Sequence, residues 1–222
     1  MAALAQIAGS DLRHNPKMDE ALEVRRFWFG KLPLKPDGLS ERLALWFGSD
    51  AEEQQADELI RSRFGPLVER AAAGELAAWA DSPRRRLSLI LLLDQFPRHA
   101  YRGTQRAFAT DREALALTLS GMQSAADAAL APVERIFFYM PLQHAELRDA
   151  QEESVAAYRR LINEAPAELS AMFTSALESA QLHHSIVARF GRFPHRNRAL
   201  GRTNTAEEEA HLLGQADQSF GQ

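Results

Sequence analysis

The chain has 222 residues, 45% hydrophobic and 25% charged, the mix of one soluble globular domain with a sizeable single core. Its 30 acids outnumber 26 Lys and Arg, so charge does not favour non-specific nucleic-acid binding. No cysteine is present, which excludes disulfides, thiolate catalysis and Cys-based metal centres.

The first residues lack a basic stretch followed by a long apolar core, so no secretory signal is expected, and segment 1–17 reads as loosely attached. Helix signals then recur almost throughout. Helices are expected near 18–29, 40–47, 50–63, 66–73, 83–95, 111–120, 132–140, 146–163, 166–190 and 206–213. Ser49 to Glu52, Thr110 to Glu113 and Thr205 to Glu208 read as capping boxes, a hydroxyl cap with glutamate three residues on. Pro83 and Pro132 suit first turns, and Gly74, Gly121 and Gly191 sit where helices could end. Alternating strand patterns and Asn-Gly hairpin turns are lacking. The fold class is therefore all-α, a single domain over 1–222 built as a compact array of antiparallel helix pairs.

Phe27, Trp28, Phe29, Trp46 and Phe47 read as core aromatics, with an exposed partner-binding patch as the alternative. Asp57 and Glu58 read as a solvated helix face or as counter-charge for an arginine turn. The run "RRR" at 84–86 should lie on the solvent side of its helix. The longest apolar run, "LSLILLLDQF" (87–96), is too short to span a bilayer, and a cytoplasmic location without membrane contact is expected.

That run ends on Asp94, which shares a stripe with Leu87, Ile90 and Leu91 and so should be buried. A buried carboxylate needs a partner, and Arg98, Arg102 and the second arginine turn supply candidates. Pro97 and Pro194 should end their helices, with Phe96 and Phe193 extended before them. The second turn, "ARFGRFPHRNRALGR" (188–202), holds five arginines and no acid. Such crowding calls for acids elsewhere in the fold or for an anionic ligand, since the planar guanidinium suits carboxylate and phosphate. In the preceding helix His183 reads as a satisfied core histidine, with His184 flanking it. A third piece, "MPLQHAELRDAQ" (140–151), puts His144 and Glu146 before a helix that carries Gln151 on its inner stripe.

Walker, dinucleotide-binding, nucleophile-elbow and metal-ligand spacings are all absent, so no metal is assigned and the cofactor stays unknown. Two functions compete, beside a structural reading in which the polar motifs are ion-pair networks that lock helix pairs together and the function lies elsewhere. One is a site for a small phosphate- or carboxylate-bearing ligand where the three pieces meet. His144, Glu146 and His195 are its acid–base candidates, and Asp94, Arg98, Arg102, Gln151, His183, Arg189, Arg192, Arg196 and Asn197 its binding candidates. The other is a helical-repeat interaction module whose arginines receive an acidic peptide or partner protein. Nucleic acid is not an expected partner, and the oligomeric state is not legible.

"RRFWFG" (25–30), "LWFG" (45–48), "LILLLDQFPRHAYRGTQRAFATD" (89–111), "FFYMPLQHAE" (137–146) and "HHSIVARFGRFPHRNRALGR" (183–202) together resemble the bacterial family catalogued as domain of unknown function 924. The resemblance implies an all-helical, tetratricopeptide-repeat-like fold and no established activity, substrate or cofactor. Two departures stand out. His99 occupies a position where the family usually has Asn, and Ala145-Glu146-Leu147 stands for Ser-Glu-Asp, which removes one acid beside His144.

Overall fold

A computed structural model describes residues 19–214, and the N-terminal segment 1–17 lies outside them. Among the described residues every regular element is helical: α1 (Glu20–Phe29), α2 (Pro36–Phe47), α3 (Asp50–Ala72), α4 (Pro83–Ile90), α5 (Phe96–Ala100), α6 (Asp111–Gln123), α7 (Pro132–His144), α8 (Arg148–Ile162), α9 (Ser170–Phe190) and α10 (Ala206–Gly214), with short 3₁₀ turns between. Helices α7, α8 and α9 follow one another across short links, each packed on the next, as consecutive helix hairpins do.

The core is aromatic. Phe27 and Trp28 of α1 meet Phe64, Phe96 and Phe137 at ring separations of 4.8 to 6.0 Å. Trp46 packs 4.7 Å from Phe137, whereas Phe47 beside it is 56% exposed, against the expectation of a core residue.

Two expected caps close. Ser49 N donates to Glu52 Oε2 at 2.9 Å, and Glu208 accepts from Thr205 N at 2.7 Å while its own N–H donates to Thr205 Oγ1. Gly191 caps α9 with φ +69°, the left-handed conformation expected of it.

Prolines supply the main corrections. Pro66 does not split α3, because Ala56, Ile60, Phe64, Val68 and Ala71 form one buried stripe on both sides of it. Pro97 does not end its helix either. Phe96 is helical (φ −63°, ψ −35°) rather than extended, and its N–H donates to Leu91 O across one widened π turn at Leu91–Gln95. Proline has no N–H for Leu93 O, and the Thr110 hydroxyl takes that carbonyl at 2.6 Å. Thr110 is therefore spent, and the expected capping box at 110–113 does not form. Phe193 is extended (φ −93°, ψ 107°), as Pro194 requires.

Gly121 sits inside α6, not at its end. A Cβ there would lie 2.6 Å from Phe138 Cζ, so close packing of α6 on α7 explains the glycine. In the "RRR" run, Arg84 and Arg85 face outward, but Arg86 turns back to Leu117 O (3.0 Å) and Ser120 Oγ (2.7 Å).

Candidate functional site

The π turn carries Asp94 into the interior, where it is wholly buried. Such bulges often serve functional positions because they re-aim a side chain without ending the helix. His144, the last residue of α7, reaches Asp94 with Nδ1 at 2.8 Å from Oδ1 and 3.0 Å from Oδ2. Gln95 Nε2 donates to Asp94 Oδ2, and Arg98 Nη1 stands 3.5 Å from Oδ1. Arg98, one helical turn beyond Asp94, also donates both arms of its fork to Asp111, at 2.9 and 3.0 Å. Thr110, tethered to Leu93, holds Asp111 in that place.

The second arginine turn enters from the other side. Arg196 is 5% exposed; its Nη1 donates to Asp111 Oδ2 (3.2 Å) and to His144 O (3.0 Å), which also answers an end carbonyl of α7. Its guanidinium is sandwiched between Phe108 (4.7 Å) and Phe193 (4.5 Å). Both hydrogen bonds leave from Nη1, and Nε is buried with no partner. His183 lies 6.2 Å from the His144 ring and 5.3 Å from Phe193, and its Nδ1 donates to Ser179 O at 2.8 Å. His195 packs 5.5 Å from Phe193. His183 and His195 are half-buried, so the cluster reaches the surface through them.

The electrostatics follow from this crowding. Burial would raise the Asp94 carboxyl, but Arg98 and His144 outweigh it and hold the carboxyl well below the usual range. Burial and Arg98 lower His144 despite Asp94. Burial, then His144, push His183 down to about 3, and burial, then Arg196, do the same to His195. Burial with Arg98 alongside lowers Arg196 to about 10. The three imidazoles are thus uncharged at neutral pH. With its Nδ1 hydrogen given to the carboxylate, His144 keeps Nε2 as a lone-pair acceptor, the form a general base requires.

The remaining candidates hold this cluster in place or lie outside it. Glu146 accepts from Phe193 N (2.8 Å) and from both arms of Arg202 (2.7 and 2.8 Å), fastening the second turn to the α7–α8 link. Gln151 donates to Gln143 O (2.6 Å) and Ala145 O (2.7 Å), fixing the end of α7 on which His144 sits. Arg102 belongs to a separate group: Asp57 receives its Nε at 2.6 Å and the His99 ring at 2.8 Å, so Asp57 is the counter-charge of an arginine turn. Arg192 pairs with Glu208 (2.7 and 2.9 Å), Arg189 with Glu207 (2.8 Å), and Asn197 donates to Asn204 (2.8 Å) and to Glu208 (3.4 Å), so these three pin α10. Asp111 and Phe108 are central to the cluster yet carry little signal in the sequence, where Asp111 reads as an ordinary first-turn acid.

The family profile described as "Bacterial protein of unknown function (DUF924)" matches residues 24–216. A solved structure, that of a protein of unknown function, ATU0120, from Agrobacterium tumefaciens, is 34% identical. Its match covers 87% of this chain and 96% of that one, with a TM-score of 0.71. No curated protein matches.

Proposed function

The chain belongs to the bacterial DUF924 family of unknown function, and from that premise we propose that the Asp94–His144–Arg196 cluster binds a small oxyanion, a carboxylate or phosphate, and uses His144 for proton transfer. The observation that carries this reading is Arg196: a guanidinium held between two rings, buried, with its Nε hydrogen unanswered. Leaving a buried charged donor unpaired costs about 1–3 kcal/mol, a cost an arriving anion relieves. Asp94 and Arg98 are positioning residues in this scheme, Asp94 for the His144 ring and Arg98 for Asp111. Glu146, an acid–base candidate by sequence, has both oxygens committed and positions the turn.

The competing reading, a tetratricopeptide-repeat-like groove for an acidic peptide, needs free guanidiniums on one surface. Arg102, Arg192 and Arg202 instead pair with Asp57, Glu208 and Glu146. The small-anion reading is the better supported.

The test is thermal unfolding with phosphate, sulfate, acetate and citrate against chloride at constant ionic strength, on the wild type, Arg196→Gln and His195→Ala. An anion at about 100 times its Kd adds about 2.7 kcal/mol to the folded state, a Tm rise of several degrees. A selective rise that both variants reduce is expected. No selective rise, or a rise unchanged by both substitutions, overturns the reading.

A further inference from the structure

Away from the cluster, a cleft of about 370 Å³ opens between the α1–α2 loop and α2. Its floor is apolar, with Phe29, Leu32, Pro33 and Leu34. Among the described residues its charged lining is Lys31, Lys35, Arg42 and Glu41, three cations against one acid in a chain whose net charge is −4. Two of the protein's three lysines are here, both exposed.

Arg42 is the unusual member. It is 6% exposed, and its one hydrogen bond runs from Nη1 to Phe27 O at 2.7 Å. Glu41 stands 3.6 Å from Nη2, beyond hydrogen-bond reach. Among the described residues Nε has no hydrogen-bond acceptor, and Nη2 has only the loose ion pair with Glu41. Burial, only partly offset by Glu41, lowers the Arg42 guanidinium below its ordinary range. Gly30 keeps its face bare. With φ +66° and ψ −139° the position favours glycine, and a Cβ there would sit 3.7 Å from the guanidinium.

We infer that this cleft is a second binding site, for a small monocarboxylate with an apolar body. The carboxylate would meet the Nε–Nη2 edge of Arg42 under the Lys31 and Lys35 ammonium groups, while the body lies on Leu32, Pro33 and Leu34. A buried guanidinium edge matches a carboxylate's two oxygens. An apolar floor with a few convergent polar groups is the usual make-up of a small-molecule site of this size. The inference shares no residue with the histidine cluster and stands or falls apart from it.

Isothermal titration calorimetry with octanoate tests it, with 1-octanol and sulfate as the apolar-only and charge-only controls. The proteins are the wild type, Lys31→Glu/Lys35→Glu and Arg196→Gln. Octanoate should bind the wild type saturably with Kd of about 1 mM or tighter, and more tightly than either control. The lysine double variant, altered only at exposed positions, should lose about ten-fold or more in affinity. Arg196→Gln should bind octanoate as the wild type does. No saturable binding at millimolar octanoate, equal binding of 1-octanol or of sulfate, or an unchanged affinity in the lysine variant overturns the inference. Loss of octanoate binding in Arg196→Gln places the ligand at the histidine cluster and overturns it equally.

Discussion

Replacing Asp94 by Asn removes one charge from a wholly buried site while keeping its shape. Arg98 Nη1 lies 3.5 Å from the carboxylate, which at an effective dielectric of about 20 corresponds to roughly 5 kcal/mol of attraction. Part of that is offset, because the amide no longer carries a carboxylate's desolvation cost. Asp111 still answers Arg98 from the other side. The expected net loss is about 3 kcal/mol, at the low end for breaking a buried pair from one side. For a chain of this length that is a Tm lower by about 6–12 °C. Urea unfolding at pH 7 measures it directly, and in the cycle of Asp94→Asn, Arg98→Met and the double variant, the double variant should lose less than the sum of the two single losses, because the two residues share one contact. A loss below about 1 kcal/mol, or a gain in stability, would refute the reasoning: a gain would mean that the carboxylate is retained for its role at His144 at a cost to stability.

Acid should destabilise the protein well before its carboxylates titrate. His183 and His195, held down to about 3, stay neutral in the folded state, whereas the unfolded chain takes up their protons below about pH 6.5; His144 is shifted in the same direction. Stability therefore falls as pH drops from about 6.5 toward 4, by about 1.4 kcal/mol per unit for each histidine that stays neutral. Urea midpoints across that range check it, and His183→Gln should flatten the slope. The Asp94 contribution has the opposite sign of shift, so it persists above the unfolded carboxyl pKa near 3.9 and is lost only at lower pH. Thr110→Val removes the side-chain hydrogen bond to Leu93 O and should cost about 1–3 kcal/mol by urea unfolding, whereas an exposed helix cap would cost less. Gly121→Ala should cost about 1–3 kcal/mol in the same assay, because the Phe138 ring must yield to the new methyl group. Arg192→Ala should release α10, seen as faster proteolytic cleavage within 203–214, and leave anion-induced thermal shifts unchanged.

The all-helical class, the caps at Ser49 and Thr205, the left-handed stop at Gly191 and the burial of Asp94 were legible because each depends on neighbours within about one helical turn. That Asp94 would need a cation followed from its position on an apolar stripe. Which groups answered it did not follow. His144 lies 50 residues away in sequence, and Asp111 and Arg196 are 85 residues apart. The same limit misplaced the prolines: a lone Pro97 reads as a helix end, yet a hydroxyl from Thr110 takes the carbonyl that proline leaves free. Sequence alone determined the all-helical class and the supply of charge; tertiary packing decided which prolines broke a helix and which arginine met which acid. A carboxylate accepts any guanidinium within reach, and reach is set by how the helices stack, not by spacing along the chain.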